Sequence, residues 1–245
     1  MRPRTLKTAA ERGDLEAVKY YLRAGVVADT FTAAGHSPLG GAVIHGHLPV
    51  VKLLMRHGAD ANQKSTYGWT PLYLAVWQGH ADIARYLIGK GVRVNTRTIE
   101  GYNSPDRWTP LHMAADCARL DLVRMLLRAG GKLGARTGDR NSLLHLACCG
   151  DNVELVQFLL SKGVSVAHRN KRGRTPLHEA ADFGSLKIVK ILVNAGSSLD
   201  VIDEKGNTPL DMALLNGFNE VSKCLVRKGA QRTITEKELS EARGI

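Results

Sequence analysis

The sequence predicts an all-α protein built from stacked helical repeats. Hydroxyl residues suited to capping a helix N-terminus recur at intervals of 33, 39, 33, 33 and 33 residues: Ser37, Thr70, Thr109, Ser142, Thr175 and Thr208. A set of glycines steps by 33, 33, 39, 33, 33 and 33: Gly25, Gly58, Gly91, Gly130, Gly163, Gly196 and Gly229. Two independent markers therefore share one register, including the single longer interval. Such a period is typical of a solenoid, in which each unit packs on its neighbours.

Each unit is predicted to contain two helices joined by a tight turn. The first begins at the capping hydroxyl, often with a proline next, where the missing N–H costs nothing. Apolar residues at helical spacing, such as Ile188 and Val189 followed by Ile191 and Leu192, predict the second helix. The second helix is expected to end at the marker glycines, since a left-handed residue suits glycine best there. The first is expected to end at Gly13, Gly46, Gly79, Gly150, Gly184 and Gly217, with Ala118 as the exception.

The first helix opens with threonine, proline, leucine and histidine at 109–112 and again at 175–178. This motif at a 33-residue period resembles the ankyrin repeat. The resemblance covers about residues 4–230 and implies an ankyrin-repeat solenoid with β-hairpin-like fingers. The implied units are an N-terminal capping repeat at 1–33, then 34–66, 67–99, 100–138 with an inserted finger, 139–171, 172–204 and 205–230, followed by a tail at 231–245. The resemblance also implies that the recurring histidines tie neighbouring units by hydrogen bonds: His112, His145 and His178.

Composition favours an intracellular binding protein. No apolar run approaches the ~20 residues of a membrane span, and the N-terminus lacks the pattern of a signal peptide. The 4 cysteines form no paired framework, so a reducing compartment, cytoplasmic or nuclear, is expected. The net charge of +11 alone does not predict nucleic-acid binding, because many of the cations fall in the last turn of a second helix, where they complement the helix dipole. We expect a monomer without a membrane anchor.

No motif predicts catalysis, a metal site or a cofactor. His178 begins a metalloprotease-like string, but Asp182 stands where the second histidine is needed. The adjacent Cys148 and Cys149 point apart on a helix and lack the spacing of a zinc site. The segment 130–132 has neither the upstream glycine nor the following hydroxyl of a phosphate loop.

The aromatic residues indicate a binding face. Trp69 and Trp108 directly precede capping threonines, and Trp77 lies near the end of a first helix. In the family resembled, these positions line a concave groove, and tryptophan, tyrosine and arginine dominate binding hot spots. The alternative is that Trp69 and Trp108 only pack against the adjoining finger. The predicted partner-binding residues are Tyr67, Trp69, Trp77, Gln78, Tyr102, Trp108, Asp116, Arg140, Arg172, Arg174 and Phe183, with Ile44 and His45 beside them.

The predicted function is therefore non-catalytic binding of another protein, as an adaptor or scaffold. Two alternatives stay open at this point. Stacked aromatic rings beside arginines also suit a nucleotide or oligonucleotide, and the chain could be the recognition fragment of a larger protein such as a ubiquitin-ligase adaptor or a kinase. Asn62 and Asn95 resemble ankyrin-finger asparagines that an intracellular hydroxylase modifies. The alternative for both is a turn asparagine that satisfies local backbone groups.

Overall fold

The computed structural model describes residues 5–29, 37–99 and 107–235. The chain divides into two compact units, of which unit 1 comprises Met1–Ala114 with Asp121–Lys132 and unit 2 comprises Ala115–Leu120 with Leu133–Ile245. The described residues contain no strand, and their helices follow one another in pairs, as the repeat predicts. These helices are α1 (Leu6–Glu11), α2 (Leu15–Arg23), α3 (Pro38–Ile44), α4 (Leu48–Arg56), α5 (Pro71–Gln78), α6 (Ala81–Gly89), α7 (Pro110–Asp116), α8 (Leu120–Arg128), α9 (Leu143–Cys149), α10 (Val153–Ser161), α11 (Pro176–Asp182), α12 (Leu186–Asn194), α13 (Pro209–Leu215) and α14 (Asn219–Arg227).

The capping hydroxyls begin the first helices as predicted. Thr70 has extended backbone angles, and its hydroxyl accepts a hydrogen bond of 3.2 Å from the Tyr73 N–H, which satisfies one of the orphan donors of α5. Pro71 occupies the first turn of the same helix. Ser37, Ser142, Thr175 and Thr208 hold the equivalent position in α3, α9, α11 and α13. The cap therefore fixes where each first helix starts.

The ends of the helices follow the repeat register more closely than the glycine pattern suggests. All of the marker glycines after the second helices have left-handed backbone angles, with φ between 78° and 91°. Helix α9 ends at Gly150 as predicted, but Gly150 has φ −83°, and the left-handed residue of this turn is Asp151, with φ 49°. Asp151 stands 33 residues after Ala118, which has φ 55°, and 33 before Gly184. Aspartate tolerates this conformation better than most residues, so the turn keeps its register without glycine.

Within each unit the helices pack in two layers. In unit 1, α1, α3 and α5 pack side by side, and α2, α4 and α6 form the second layer. In unit 2, α9, α11 and α13 form one layer, and α10, α12 and α14 form the other. Leucines and other aliphatic residues between the layers are buried completely, for example Leu72 and Leu87 in unit 1 and Leu144 and Leu192 in unit 2. Burial of each such side chain stabilises the fold by about 1.5–3 kcal/mol.

The fingers are hairpin turns. The N–H of Ser65 donates to the carbonyl of Trp69 at 2.9 Å, and the N–H of Asp203 donates to that of Asn207 at 2.9 Å. Neighbouring fingers are also linked, since Ile99 N–H donates to Tyr67 O at 3.4 Å in unit 1. The fingers bring the residue before each capping hydroxyl close to the first helices. They form the hairpin-like shape that the resemblance implies, but the described residues within them are not assigned as strands.

Candidate functional site

Aromatic rings collect on one side of unit 1. The ring centroid of Trp69 lies 4.8 Å from that of Tyr67, 6.3 Å from that of Tyr73 and 5.3 Å from that of Trp77. We call these four residues the aromatic cluster. Tyr73 is buried, with 2% of its surface exposed, whereas Trp77 is 41% exposed. The cluster therefore presents one indole to solvent on a base of packed rings.

Local hydrogen bonds hold the finger side of the cluster. The Ser65 hydroxyl accepts hydrogen bonds from the N–H groups of Tyr67, at 3.3 Å, and Trp69, at 3.2 Å. Gly68 between them has φ 74°, and a Cβ there would lie 2.6 Å from the Ile99 backbone nitrogen. Only glycine fits such a turn without moving the next finger. The sequence thus fixes the approach of the finger to the helix, and with it the positions of two rings.

The other predicted binding residues of unit 1 lie outside the aromatic cluster. Trp108 is half-buried, and its ring lies 6.3 Å from that of His112. The backbone N–H of Trp108 donates to the Thr98 hydroxyl at 2.9 Å. This packing fits the alternative interpretation, in which Trp108 supports its own finger. Gln78 is exposed beside Trp77. Tyr102 lies outside the described residues. Partner binding by these residues stays a prediction.

In unit 2, Arg174 lies in a network of charges. Its guanidinium is 2.8 Å from the Asp182 carboxylate, 3.6 Å from that of Glu179 and 3.4 Å from that of Asp203. The Arg174 side chain is only 13% exposed, and that of Asp203 is 2% exposed. Burial alone would lower the pKa of Arg174, but the carboxylates of Glu179 and Asp182 raise it. The network keeps Arg174 in its charged form and holds its guanidinium in a mostly buried position.

Amide side chains complete this network. Asn170 donates to Glu179 at 3.2 Å and to the side-chain oxygen of Asn141 at 2.9 Å. Its own oxygen accepts hydrogen bonds of 3.0 Å from the N–H groups of Arg172 and Arg174. Burial raises the pKa of Glu179, although Arg174 opposes the shift. Because Arg174 is bound to carboxylates on its own helix pair and on the next finger, it acts as a structural residue in unit 2, although its Nε pairs with Asp203 at 3.4 Å without a hydrogen bond.

The remaining predicted residues of unit 2 are open to solvent. Phe183 is 54% exposed and follows Asp182 at the end of α11. Arg140, with φ 63°, and Arg172 are exposed on fingers. Asp116 is also exposed, and desolvation of its carboxylate by the surrounding protein raises its pKa. Their binding roles stay predictions.

The recurring histidines are structural ties. In α9, the Ser142 N–H donates to His145 Nδ1 at 3.2 Å, so this nitrogen is the acceptor and the proton sits on Nε2. That Nε2–H donates to the Arg174 carbonyl of the next repeat at 3.0 Å. His178 is bonded in the same way, to the Asn207 carbonyl at 3.2 Å. Burial lowers the pKa of His145 to about 4, which agrees with a neutral ring. The hydrogen bonds implied by the family resemblance are confirmed for these two residues.

The finger asparagines also connect successive repeats. The Asn62 side-chain oxygen accepts a hydrogen bond of 2.7 Å from the Arg93 N–H. Asn95 accepts one of 3.0 Å from the Lys132 N–H and donates one of 2.9 Å to the Gly130 carbonyl. Each amide therefore serves backbone groups of the following repeat rather than of its own turn. Hydroxylation of these asparagines stays a prediction.

Side chains that ligate metals do not cluster in the part of the chain that the structure describes. No group of three histidine, cysteine or acidic side chains there is placed to hold a metal ion. Burial raises the pKa of Cys149 to about 12, so its reactive thiolate form is disfavoured. None of the described helices has the length and apolarity needed to cross a membrane.

Sequence reasoning missed Tyr73 and the partners of Arg174. Tyr73 and Trp77 are four residues apart in α5, which places them on one face of the helix, and Trp69 lies just before the cap of the same helix. That spacing was a usable signal for Tyr73. Asn170 and Asp203 gave no such signal. Each stands at the turn position that Ser65 occupies in unit 1, where a polar residue is expected to bind only its own turn. The folded structure is needed to show that they also reach Arg174.

Comparison with known proteins agrees with this geometry. The family model for ankyrin repeats matches residues 6–98, 117–203 and 144–236, which together make up most of the chain. The chain belongs to the ankyrin repeat family. Among solved structures, the human ASB11 ankyrin repeat domain is similar, with a TM-score of 0.80 and 26% identity over 94% of this chain and 100% of that one. A comparison with curated proteins gives no match.

Proposed function

We propose that this ankyrin repeat protein is a non-catalytic intracellular adaptor that binds another protein through the aromatic cluster of unit 1. Ankyrin repeats generally mediate protein–protein interaction, which supports the class of function. The observation that carries the site is Trp77, an indole that is 41% exposed although its ring lies 5.3 Å from that of Trp69. Such a residue is preorganised, so a partner need not freeze it on binding.

The charges around the cluster define the kind of partner segment. The finger that carries Tyr67 and Trp69 also carries Lys64, and the following finger carries Arg93, Arg97 and Arg107. Lys64 donates to the Arg97 carbonyl at 3.4 Å, which holds its ammonium between two fingers. We therefore propose a segment with one aromatic or aliphatic anchor over Trp77 and acidic residues toward the fingers, since complementary charge speeds association and selects partners.

The test begins with affinity capture by the wild-type protein, followed by direct binding measurements with the recovered partner. Trp77→Ala should weaken binding by about 2 kcal/mol, or roughly 30-fold, because truncated aromatic hot spots typically cost this much. The fold should change little, as the Trp77 side chain lies at the end of α5 and packs on rings that remain. Tyr20→Ala is the matched control, since Tyr20 is an exposed aromatic residue of α2 at 62%.

Equal affinity of wild type and Trp77→Ala, with both folded by circular dichroism, would contradict the assignment of the site. A steep fall of affinity with salt, together with capture of oligonucleotides, would favour the nucleic-acid alternative instead. Weak salt dependence with a large effect of Trp77→Ala supports a protein partner.

A further inference from the structure

A groove of about 550 Å³ lies between the second helices α6 and α8 of unit 1. This groove is separate from the finger and first helix that carry the aromatic cluster. Arg85 of α6 lines one side, and Arg124 and Arg128 of α8 line the other. Ile88 and Met125 supply apolar atoms to the same groove.

The lining of the groove carries a net positive formal charge. All three arginines are exposed, and Arg85 and Arg128 make no ion pair within the described residues. The acidic residue among the described lining is Asp121, so three arginines and one aspartate leave a formal charge of +2.

The residue types select among anions. Arginine presents a planar fork of N–H donors that matches phosphate bidentately, which lysine cannot do. A phosphorylated side chain carries about −1.5 to −2 at neutral pH, which complements the formal charge of the groove. The apolar atoms of Ile88 and Met125 can accept the residues that flank a phosphorylated side chain.

Other polyanions fit less well. Single-stranded nucleic acid is usually held by aromatic rings on which bases stack, and none of the described lining residues is aromatic. Adsorption of a helix on an anionic membrane relies on large apolar side chains that enter the interface. The exposed large apolar residues of the described chain, such as Tyr20, Val27 and Trp77, lie on other elements.

We propose that the groove formed by Arg85, Arg124 and Arg128 binds a phosphate group carried by a phosphorylated peptide segment of a partner. This is a second binding site, distinct from the aromatic cluster. Arg85 of α6 and Arg128 of α8 donate hydrogen bonds to the phosphate oxygens from opposite sides of the groove. The peptide residues that flank the phosphorylated side chain pack on Ile88 and Met125. Asp121 sets an upper limit on the negative charge that the groove accepts.

The probe is a fluorescein-labelled degenerate peptide pool with a fixed central phosphoserine, compared with the same pool containing serine. Fluorescence anisotropy with the full chain should show at least tenfold tighter binding of the phosphorylated pool. The double variant Arg85→Gln/Arg128→Gln should lose at least tenfold of that affinity. The control Arg23→Gln/Arg56→Gln removes the same charge from α2 and α4 and should change affinity by less than about threefold. Arg128→Lys should lose affinity despite keeping the charge, because the fork is lost.

Circular dichroism and thermal melting establish that each variant is folded. Equal binding of the two pools, or no binding of either, overturns the proposal. Equal losses in the groove and control variants also overturn it, since they indicate diffuse attraction to a basic surface. Displacement of the phosphorylated pool by oligothymidylate, or by phosphatidylserine vesicles, more effectively than by unlabelled phosphorylated pool assigns the groove to another class of ligand. The effect of Trp77→Ala on binding of the partner captured by the aromatic cluster is measured separately. The proposal for the groove and the proposal for the aromatic cluster can therefore be contradicted independently of each other.

Discussion

Units 1 and 2 connect their successive repeats through different polar groups. In unit 1, Asp29, Asn62 and Asn95 occupy one finger position, and each accepts a hydrogen bond from a backbone N–H of the next repeat. In unit 2, the same position is Gly134 and then Ala167, before Asp200 restores the bond to Gln231. Unit 2 adds buried ties, which are the imidazoles of α9 and α11 and the Arg174 network. In unit 1 the half-buried imidazoles of His47 and His80 also contact the preceding repeat, at the carbonyls of Glu11 and Ile44.

A second repeat position, three residues after the capping hydroxyl, also differs from repeat to repeat. The residue three places after the cap is Gly40 in α3, Tyr73 in α5 and His112 in α7, and it is His145 in α9, His178 in α11 and Asp211 in α13. The side chain at this position therefore changes along the array, and with it the polar tie to the neighbouring repeat. The exchange has an energetic consequence, because exposed hydrogen bonds contribute about 0.5–1.5 kcal/mol each whereas breaking a buried ion pair costs about 3–5 kcal/mol. Unit 2 should be the unit more sensitive to charge and to pH.

The largest effect is expected from removal of the central cation of unit 2. Arg174→Met leaves the carboxylates of Glu179 and Asp203 without their counter-charge, which should cost about 3–5 kcal/mol. Urea denaturation followed by probes in each unit should show the loss in unit 2. Arg172→Met, an exposed arginine on the same finger, is the control and should change stability by less than about 0.5 kcal/mol. Similar small losses in both variants would show that the network contributes little.

The next effect is a pH dependence carried by His145. Its pKa is lowered to about 4 by burial, against an ordinary value of 6.5, so the unfolded chain binds the proton more readily than the folded one. The contribution of His145 to stability should therefore be constant above about pH 6.5, fall as the pH drops toward about 4, and level off below that, for a total loss of about 3 kcal/mol. His178, whose pKa burial also lowers, should add to the slope. Thermal melts across this range should show a flatter profile for His145→Gln than for wild type. A parallel profile would contradict the assignment.

The sequence predicted most of the fold because the relevant signals are local and repeated. A cap such as Thr70 and a C-terminal glycine such as Gly163 act within one turn of helix, so their spacing alone places the helices. The left-handed conformation of Asp151 was not predicted, because the residue type gives no glycine at that position although the turn keeps the repeat register. The Arg174 network was not predictable, since it depends on side chains that meet across repeats.

Glycines that end the second helices are common to both units and should have the same effect in each. Gly163 of unit 2 has φ 78° and Gly58 of unit 1 has φ 87°, and a Cβ at either would meet open space. Valine at either position should cost about 1–2 kcal/mol, from backbone strain alone. Gly89→Ala is the control, because Gly89 ends α6 without a left-handed angle and also has open space around it. Denaturation midpoints unchanged by both valine substitutions would exclude strain as the reason for these glycines.

Loss of the exposed tie in unit 1 should have a smaller effect. Asn95→Ala removes the hydrogen bonds to the Lys132 N–H and the Gly130 carbonyl. Both groups can bind water instead, so we expect a loss of about 1 kcal/mol. Asn194→Ala, at the exposed end of α12, serves as the control and should be nearly neutral. Hydrogen exchange at the Lys132 amide should accelerate in the first variant, and protection retained there would show that Asn95 is not the acceptor in solution.

The smallest expected effect is a gain in stability, from introducing into unit 2 the finger asparagine that links successive repeats in unit 1. Gly134 occupies the finger position of Asn62, and a Cβ there would meet no atom within 4 Å. The N–H of Ser165 stands 31 residues later, as the Arg93 N–H does from Asn62, and both Gly134 and Ser165 line a cavity of about 150 Å³. Gly134→Asn should place an amide oxygen near that N–H and restrict the unfolded chain, for a gain of about 0.5–1 kcal/mol. Gly134→Ala separates the two contributions, because it restricts the chain without supplying an acceptor. A further gain of asparagine over alanine, with slower exchange of the Ser165 amide, is the expected result. Equal stability of the two variants would mean that the fingers of unit 2 are spaced differently from those of unit 1, so that the missing tie reflects geometry rather than the choice of residue.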